Sequence, residues 1–399
     1  MTVYINPSKA KGTVVAPPSK SVSHRALICA ALSGGSTIGN IEYCDDIRAT
    51  LGALKAMGAQ IEKHKNTVRL GLLKPESIPS VNICCGESGS TLRFLIPLCM
   101  LSGSKVTFTG AARLFERDLS VYEEIAGKQD IFFELKDASL TVGGKLKAGT
   151  FCVNGDVSSQ FISGLMFALP LLDGDSKIKL RTPLESKPYV DITIDVLSRF
   201  GIEIDSTEHG YFIKGNQFYK SVDYTVEGDY SNAAALEILN LYGGEVSVTG
   251  LNPDTVQGDR VYKEIFKTIG SGGSYDLSDC PDLAPLLFGV SAYLSGARFT
   301  GTSRLKIKES DRAECMKQEL SKFGADVTVL ENEVIIDNKE LSAPREPLYS
   351  HNDHRIVMAL CGLLSVYGGE IMGAEAVNKS YPSFFEDIKK LGIEVKMYD

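Results

Sequence analysis

Several features that would place a protein in a special class are missing from this sequence of 399 residues. No stretch approaches the roughly 18 consecutive apolar residues of a membrane-spanning helix. The opening segment, MTVYINPSKAKG, has no apolar signal core. The nine cysteines are scattered without a CxxC pair, which is typical of reduced thiols rather than of disulfides or a zinc site. We therefore expect a cytoplasmic protein.

An excess of basic residues is missing as well. The 42 Lys and Arg against 50 Asp and Glu give a net charge of -8, which argues against a nucleic-acid or membrane partner. No P-loop (GxxxxGK[ST]) and no GxSxG motif occurs, and no GxGxxG follows an N-terminal strand. His351 and His354 have HxxH spacing, but no third metal ligand is evident, so we expect no metal.

What the sequence does have is an internal repeat. A helix-like apolar run that ends in glycine and precedes a strand-like run occurs six times, at Gly34, Gly103, Gly174, Gly243, Gly296 and Gly368. Glycine adopts the left-handed conformation of a helix C-terminus without a Cβ penalty. A second series lies between these, at Gly58, Gly201, Gly270, Gly324 and Gly392, with a degenerate member at Gly127. The shortest spacing lies between Gly243 and Gly296 in the first series and between Gly270 and Gly324 in the second. Because the two short spacings occur at the same place along the chain, both series belong to one repeating unit.

The repeating unit reads helix, glycine, strand, loop, helix, glycine, strand, so we predict an α/β fold. The chain is too long for one compact core, and two groups of three units are the simplest arrangement. Domain crossovers are indicated near Val226–Asp229 and near Pro17–Pro18. We therefore predict an N-terminal domain of residues 18–227 and a C-terminal domain of residues 1–17 and 228–399.

Polar chemistry is concentrated at the starts of the six apolar helices, in PSKSVSHR, GESGSTLR, GDVSSQF, GDYSNAA, DCPDLAP and HNDHRIV. Each start contains good N-cap residues, and helix N-termini favour anions. Capping alone is the better interpretation for Asp229 and Ser231. Elsewhere, cations such as Lys20 and Arg355 exceed what a cap needs. Recurring cations in an acidic protein predict small polyanionic ligands such as phosphates and carboxylates.

Five of these helix starts, all but GDYSNAA, together with ESKPYVDITIDVL, LKIKESDR and NKSYPSFFEDI, closely resemble the 5-enolpyruvylshikimate-3-phosphate synthase (3-phosphoshikimate 1-carboxyvinyltransferase) family. The matching blocks run from residue 17 to residue 388 in family order. The resemblance implies two similar domains, each of three βαβαββ units, with the active site in the cleft between them.

The resemblance also implies a reaction. The family transfers the enolpyruvyl group of phosphoenolpyruvate to the 5-hydroxyl of shikimate 3-phosphate, releasing phosphate, in the biosynthesis of chorismate and aromatic amino acids. Both substrates carry a phosphate and a carboxylate, which suits the cationic helix starts. We expect no cofactor, and we expect a monomer.

Site residues follow from the resemblance position by position. Those matching shikimate 3-phosphate contacts are Lys20, Ser21, Arg25, Ser158, Ser159, Gln160, Ser186, Tyr189, Asp282 and Lys308. Those matching phosphoenolpyruvate contacts are Lys20, Gly89, Arg117, Gln160, Arg312, Arg355 and Lys379. We expect the cations among them to surround a single pocket between the domains.

Three residues, two of them in these sets, suit the proton transfers that the reaction needs. A proton must reach the methylene carbon and another must leave the attacking hydroxyl, and carboxyl groups can perform such work. We assign Asp282 as the base toward the 5-hydroxyl, and Glu309 with Lys20 as the acid side at the methylene.

The sequence departs from the family pattern at three positions. Glu87 stands where the family commonly has Asn, and Ser90 stands where it has Thr. Arg304 stands where some members have Asn and others Glu, so its contact with substrate is open. Gly89 is retained at a position that lines the phosphoenolpyruvate site in the family, which predicts that the enzyme is a glyphosate target.

Two other functions remain as alternatives. UDP-N-acetylglucosamine enolpyruvyl transferase shares the fold and the donor, but it normally has Lys-Asn where Lys20-Ser21 stands. A non-catalytic repeat scaffold would not need cations and carboxylates clustered at helix starts.

Overall fold

The computed structural model describes residues 1–398. The strands are β1 (Thr2–Ile5), β2 (Lys11–Val15), β3 (Ser36–Gly39), β4 (Ile61–His64), β5 (Thr67–Leu70), β6 (Val81–Cys84), β7 (Val106–Thr109), β8 (Phe132–Lys136), β9 (Ser139–Gly143), β10 (Thr150–Val153), β11 (Ser176–Leu180), β12 (Asp205–Thr207), β13 (Gly210–Ile213), β14 (Tyr224–Thr225), β15 (Glu245–Thr249), β16 (Ser274–Asp276), β17 (Ala297–Thr300), β18 (Val327–Val329), β19 (Glu333–Ile336), β20 (Leu348–Tyr349), β21 (Gly369–Met372) and β22 (Val395–Tyr398).

The α-helices are α1 (Lys20–Ser33), α2 (Asp45–Ala56), α3 (Gly89–Cys99), α4 (Ala112–Glu116), α5 (Ser120–Lys128), α6 (Ser159–Ala168), α7 (Lys187–Arg199), α8 (Tyr230–Glu237), α9 (Tyr262–Thr268), α10 (Ala284–Leu294), α11 (Arg312–Ser321), α12 (His354–Tyr367) and α13 (Phe384–Lys390). Short 3₁₀ turns lie at Pro75–Ser77, Leu169–Leu171, Ile238–Asn240, Gly258–Val261, Ile269–Ser271, Pro281–Leu283, Ser303–Ile307 and Ala374–Lys379. Over residues 1–398, none of these helices has the length and apolar content needed to cross a membrane.

The chain divides into two compact units. One unit is formed by residues 18–227, and the other by residues 1–17 together with the chain from Gly228 onward. Each unit has its own hydrophobic core.

The unit of residues 18–227 contains three four-stranded sheets of the same design. Their strand orders are β14–β3–β5–β4, β6–β7–β9–β8 and β10–β11–β13–β12. In each sheet the first two strands are parallel and the remaining neighbours are antiparallel. The parallel pairs β6–β7 and β10–β11 are connected through α3 and α6, as parallel pairing requires a crossover.

The other unit repeats this design with one reduced member. Its sheets have the orders β16–β17–β19–β18, β20–β21–β1–β22 and β15–β2. In the last sheet only two parallel strands occur among the described residues. The second sheet is completed by β1, which lies antiparallel between β21 and β22. The predicted α/β class with repeated units is therefore confirmed.

The reduced sheet explains the short interval between the glycines of the repeat. Between Gly243 and Gly296 the chain forms β15 and α9 and then passes directly to β16, the first strand of the next sheet, and to α10, without an intervening antiparallel hairpin. The six glycines of the first series all have positive φ, from 70° to 118°. At Gly34 and Gly368 this conformation directly ends α1 and α12, as predicted.

Long apolar helices form the interior of each unit. Residues 22–32 of α1 are all buried, and so are nearly all residues of α3 and α6. In the other unit α10 and α12 are buried in the same way. A helix that is apolar on every side is stable only inside a core. Strands such as β3 and β7 alternate in burial, so each sheet turns one face to these helices.

Polar residues begin these helices as the sequence predicts. Ser19, Ser88, Ser158 and Asp353 each accept a hydrogen bond from a backbone N–H in the first turn of the helix that follows. Asp229 does the same at Asn232, which confirms the capping interpretation for this residue. The buried helix starts carry several of the predicted site residues, among them Lys20, Gly89, Ser159 and Arg355, so the fold fixes their backbone positions.

Candidate active site

The predicted site residues fall into two groups, one in each unit. We term the first the N-terminal cluster, which comprises Lys20, Ser21, Arg25, Gly89, Arg117, Ser158, Ser159, Gln160, Ser186 and Tyr189. We term the second the C-terminal cluster, which comprises Asp282, Arg304, Lys308, Glu309, Arg312, Arg355 and Lys379.

Lys20 is the first residue of α1, directly after the N-cap Ser19. Its ammonium donates to Asp46 Oδ2 at 2.8 Å. Asp46 lies in the first turn of α2, where a carboxylate is also favoured by the helix dipole. The pair is largely buried, with about a seventh of each side chain exposed. Asp46 therefore orients the Lys20 side chain.

Arg25 lies one turn further along α1 and is almost fully buried. Its guanidinium donates to the backbone oxygens of Ser21 and Tyr189 at 2.7 and 2.9 Å. It also donates to the hydroxyls of Thr193 at 2.7 Å and Ser163 at 3.5 Å. These bonds use four of its five N–H groups. Burial lowers the pKa of Arg25 to about 9, so the group remains a cation at neutral pH.

Gly89 begins α3 beside two guanidinium groups. A Cβ at this position would lie 2.7 Å from Arg117 Nη1 and 3.0 Å from Arg93 Nη1. Both distances are shorter than van der Waals contact, so only glycine lets the two arginines approach the helix start this closely. Arg117 follows the end of α4, and its buried Nε has no hydrogen-bond partner among residues 1–398.

Gln160 connects the starts of α3 and α6. Its amide oxygen accepts from Arg93 Nη1 at 3.1 Å, and its amide nitrogen donates to Ser90 Oγ at 3.1 Å. Ser158 caps α6 by accepting from the Gln160 backbone N–H. Ser159 is buried as the first residue of the same helix. The structure thus brings Gly89, Arg117 and Gln160 together through Arg93.

Ser186 and Tyr189 lie at the start of α7. Ser186 has φ 55° and ψ 37°, a left-handed conformation that is uncommon for a residue with a side chain. Its backbone oxygen accepts from the Tyr189 N–H at 3.1 Å. Because the Tyr189 oxygen accepts from Arg25, this turn is joined to α1.

In the C-terminal cluster, Arg312 is surrounded by three carboxylates. Its Nη1 donates to Asp282 at 2.8 Å, its Nη2 to Glu309 at 2.9 Å, and its Nε to Asp353 at 2.9 Å. Arg312 is the first residue of α11, whereas Asp353 caps α12. The arginine therefore joins two helix starts, and it does so with only 1% of its side chain exposed.

Asp282 forms ion pairs with three cations. Besides Arg312, its carboxylate pairs with Lys308 Nζ at 3.4 Å and Arg355 Nη2 at 3.6 Å. Burial by itself raises the pKa of Asp282, but Lys308, Arg312 and Arg355 outweigh burial and lower this pKa well below its usual range. Burial also lowers the pKa of Lys308, against the opposing charge of Asp282.

Arg355 and Lys379 complete this cluster. Arg355 is buried in the first turn of α12, where its Nη1 donates to Asn232 Oδ1 at 3.1 Å. Its Nε has no hydrogen-bond partner among the described residues. Lys379 is buried at the end of a 3₁₀ turn, and its ammonium donates to the Asn352 backbone oxygen. Both cations therefore lie beside the loop that starts α12.

Arg304 contacts the loop before Asp282. Its Nη2 donates to the Ser278 backbone oxygen at 2.6 Å, and the residue is buried. Within residues 1–398, no group of His, Cys, Asp and Glu is arranged to hold a metal ion.

Sequence reasoning missed several residues that shape these clusters. Asp46 and Asp353 looked like ordinary acids at helix starts, although each pairs with a predicted cation. Arg93 was noted in the sequence but not assigned a role. Asp259, a buried carboxyl in a 3₁₀ turn, was also missed. Burial and the nearby charge of Asp282 raise the pKa of Asp259 to about 7. Only three-dimensional proximity to Lys20, Arg312, Gln160 and Asp282 distinguishes these residues.

Comparison with known proteins identifies the family. The family model described as EPSP synthase (3-phosphoshikimate 1-carboxyvinyltransferase) matches residues 5–275 and 271–388. The chain belongs to the EPSP synthase family. A protein named 3-phosphoshikimate 1-carboxyvinyltransferase from Clostridium kluyveri is 45% identical over 417 aligned residues, which cover 98% of each chain. One of the same name from Clostridium acetobutylicum is 44% identical, also with 98% of each chain covered.

A solved structure supports the fold of this EPSP synthase family member. The EPSP synthase from Acinetobacter baumannii superimposes with a TM-score of 0.80, over 99% of this chain and 100% of that one. At 23% sequence identity, this likeness concerns the fold alone.

Proposed function

We propose that this enzyme transfers the carboxyvinyl group of phosphoenolpyruvate to the 5-hydroxyl of shikimate 3-phosphate, and that both clusters act on these two substrates. Family membership over the whole chain makes it a transferase of the shikimate pathway. The observation that supports this substrate pair most directly is the presence of two separate sets of buried, preoriented cations. Each substrate has two anionic groups, and buried guanidinium and ammonium groups are suited to bind them.

The N-terminal cluster supplies groups for both substrates in this proposal. Shikimate 3-phosphate is bound by Lys20, Ser21, Arg25, Ser158, Ser159, Gln160, Ser186 and Tyr189. Phosphoenolpyruvate is bound by Lys20, Gly89, Arg117 and Gln160. The shared residues Lys20 and Gln160 are both oriented by other side chains, Asp46 and Arg93 respectively. Such preorientation reduces the entropy lost on binding.

The C-terminal cluster contributes the remaining cations and the carboxylates. Arg312, Arg355 and Lys379 bind phosphoenolpyruvate, whereas Asp282 and Lys308 face shikimate 3-phosphate. The carboxylates around Arg312 use four of its five N–H groups. Its guanidinium plane is therefore fixed before an anion arrives, and the geometry need not reorganise during the reaction.

Asp282 acts as the base that accepts the proton of the 5-hydroxyl. In the absence of substrate its lowered pKa makes it ionised but weakly basic. When the phosphate or carboxylate of a substrate engages Lys308 or Arg355, part of the positive charge near Asp282 is neutralised. The pKa of Asp282 then rises, because fewer cations stabilise its charged form. Substrate binding thus makes Asp282 a stronger base when it is needed.

Glu309 and Lys20 form the acid side of the reaction. They deliver a proton to the methylene carbon of phosphoenolpyruvate as the hydroxyl oxygen bonds to the adjacent carbon. The same groups serve the reverse transfers when the tetrahedral intermediate expels phosphate. The ammonium of Lys20 is held in place by Asp46 at 2.8 Å, so its N–H groups are oriented before substrate binds.

The test is a reaction with purified substrates. Incubation with phosphoenolpyruvate and shikimate 3-phosphate should release phosphate and form a product that contains the carboxyvinyl ether. UDP-N-acetylglucosamine in place of shikimate 3-phosphate serves as the control for the related transferase and should give no phosphate. If phosphoenolpyruvate released phosphate with UDP-N-acetylglucosamine but not with shikimate 3-phosphate, the proposal would be contradicted.

A further inference from the structure

A buried chain of hydroxyl groups connects α1, α2 and α3 in the unit of residues 18–227. His24 Nδ1 lies 2.7 Å from Thr50 Oγ1, which lies 2.6 Å from Thr91 Oγ1. Thr91 Oγ1 in turn donates to Ser88 Oγ at 2.8 Å. All four residues are at most 1% exposed. None of them belongs to the predicted substrate contacts.

The direction of this chain follows from counting hydrogens. Thr91 gives its hydroxyl hydrogen to Ser88, so Thr50 must donate to Thr91, since each hydroxyl has one hydrogen. Thr50 then has only lone pairs left for His24, so His24 must donate from Nδ1. Burial, with smaller contributions from Lys20 and Arg25, lowers the pKa of His24 well below its usual range. The imidazole is therefore neutral, with its single proton on Nδ1.

The chain lies one helical turn behind the Lys20–Asp46 pair. Lys20 and His24 are four residues apart on α1, and Asp46 and Thr50 are four residues apart on α2, so each pair shares a helix face. The two contacts thus join α1 to α2 at successive turns. The second contact continues to α3 through Thr91, where the chain ends at the N-cap Ser88 beside Gly89.

We propose that Thr50 is a positioning residue, which fixes the start of α3 relative to Lys20 through His24, Thr91 and Ser88. The proposal rests on the function above, in which Lys20 and Gly89 both contact phosphoenolpyruvate. Removing the Thr50 hydroxyl leaves buried donors and acceptors of His24 and Thr91 without partners, and these groups will shift to find others. The distance between Lys20 and Gly89 then changes, whereas the contacts of Arg25 with Tyr189 and Thr193 do not depend on this chain.

The test compares steady-state kinetics of Thr50→Val and Thr50→Ser. Valine keeps the shape of threonine and removes the hydroxyl, whereas serine keeps the hydroxyl. We expect Thr50→Val to raise the KM for phosphoenolpyruvate by about three- to tenfold, the size typical of a lost buried hydrogen bond. The KM for shikimate 3-phosphate should stay within about twofold, and Thr50→Ser should restore both constants.

Thr107→Val provides a matched control. Thr107 on β7 is hydrogen-bonded to Thr141 at 2.9 Å, away from the helix starts, so the same chemical change there should leave both KM values within about twofold. Equal rises of both KM values in Thr50→Val, no rise in either, or a failure of Thr50→Ser to restore them would overturn the proposal. The wild-type enzyme in the same assay reports on the proposed function independently, because its turnover does not depend on the outcome of the variants.

A second measurement needs no variant at Thr50 and applies even if Thr50→Val does not fold. Nitrogen-15 NMR of histidine-labelled wild-type enzyme, with the His24 signals assigned from a His24→Gln sample, should show a neutral ring protonated on Nδ1 from pH 6 to 8. Addition of phosphoenolpyruvate together with shikimate 3-phosphate should shift the Nδ1 resonance. A ring protonated on Nε2, or a resonance insensitive to both substrates, would contradict the proposed chain.

Discussion

Asp282 Oδ1 accepts a hydrogen bond of 2.8 Å from Arg312 Nη1, and the same arginine donates to two further carboxylates. Removal of the Asp282 charge therefore leaves Arg312 with two anionic partners and a stable position. Asp282 differs from the other two carboxylates because it also faces Lys308 and Arg355. A substitution of Asp282 therefore changes the charge beside Lys308 and Arg355 while Arg312 keeps its other two carboxylates.

We accordingly expect Asp282→Asn to reduce kcat by about 10²- to 10⁴-fold, the range typical of losing a general base. The KM for phosphoenolpyruvate should not rise, because the substitution leaves the neighbouring cations with less negative charge to balance. Phosphate release measures the rate, and thermal unfolding checks that the variant folds. Glu264→Gln, which removes an exposed carboxylate paired with Lys267, is the control and should keep wild-type kinetics. A wild-type kcat in Asp282→Asn would show that another group is the base.

Substitution of Gly89 should affect binding more than stability. In Gly89→Ala the new methyl group would meet the terminal nitrogens of Arg117 and Arg93, which are flexible ends that can move away. We expect the KM for phosphoenolpyruvate to rise by about 10- to 150-fold, since a displaced charged hydrogen bond costs about 1.5–3 kcal/mol. The melting temperature should change little.

Gly127→Ala is the matched control for that substitution. Gly127 lies inside α5, and a Cβ there meets nothing within 4 Å. Alanine should stabilise the helix by about 0.5–1 kcal/mol and leave both KM values unchanged. If Gly89→Ala behaved like Gly127→Ala, the guanidinium groups beside Gly89 would have no part in binding phosphoenolpyruvate.

Glyphosate should inhibit the wild-type enzyme in competition with phosphoenolpyruvate. It carries a phosphonate and a carboxylate, and the absence of a side chain at Gly89 lets the guanidinium of Arg117 lie against the start of α3, where it can bind such an anion. In double-reciprocal plots of initial rate against phosphoenolpyruvate concentration, glyphosate should increase the slope and leave the intercept unchanged. An inhibition constant that does not depend on the phosphoenolpyruvate concentration would refute this expectation.

His351 should contribute to stability in a pH-dependent manner. Hydrogen bonds to Cys315 and to Glu319 raise the pKa of His351 to about 9. Because the folded-state pKa is raised, this contribution is complete below the unfolded pKa of about 6.5 and is lost as the pH rises through 9. Its loss is at most about 1.4 kcal/mol for each pH unit.

The measurement is the difference in melting temperature between wild type and His351→Gln, which should be larger at pH 6.5 than at pH 9. His209→Gln, at an exposed histidine, should show no such pH-dependent difference. A His351→Gln difference that stayed constant over this range would mean that His351 is not charged in the folded protein.

The fold class could be predicted from the sequence because the residues that begin and end the repeated helices can be recognised from short segments. Gly34 and Gly368 end helices in the left-handed conformation, and Ser19 and Ser88 begin them, and each such signal is local in the sequence. The reduced sheet β15–β2 shows in the sequence only as the short interval between Gly243 and Gly296. The absence of an antiparallel hairpin from this sheet follows only from the strand pairing.

The site was less accessible to sequence reasoning. The helix starts identified Lys20 and Arg355 as unusual cations, but their partners Asp46 and Asn232 are distant in sequence. The chain from His24 to Ser88 joins three helices through hydroxyls that resemble ordinary buried threonines. Side-chain pairing of this kind depends on helix packing, which no local pattern specifies.

The pairing of β1 with β22 has a consequence for biogenesis. Thr2 and Tyr398 are register partners, so β1 can pair with β22 only after the long stretch of chain between the two strands has been synthesised. Residues 18–227 contain all the strands of their own three sheets and can fold while synthesis continues, as domains generally do. During that time β1 has no sheet neighbour, because both of its partner strands, β21 and β22, lie far along the chain from it.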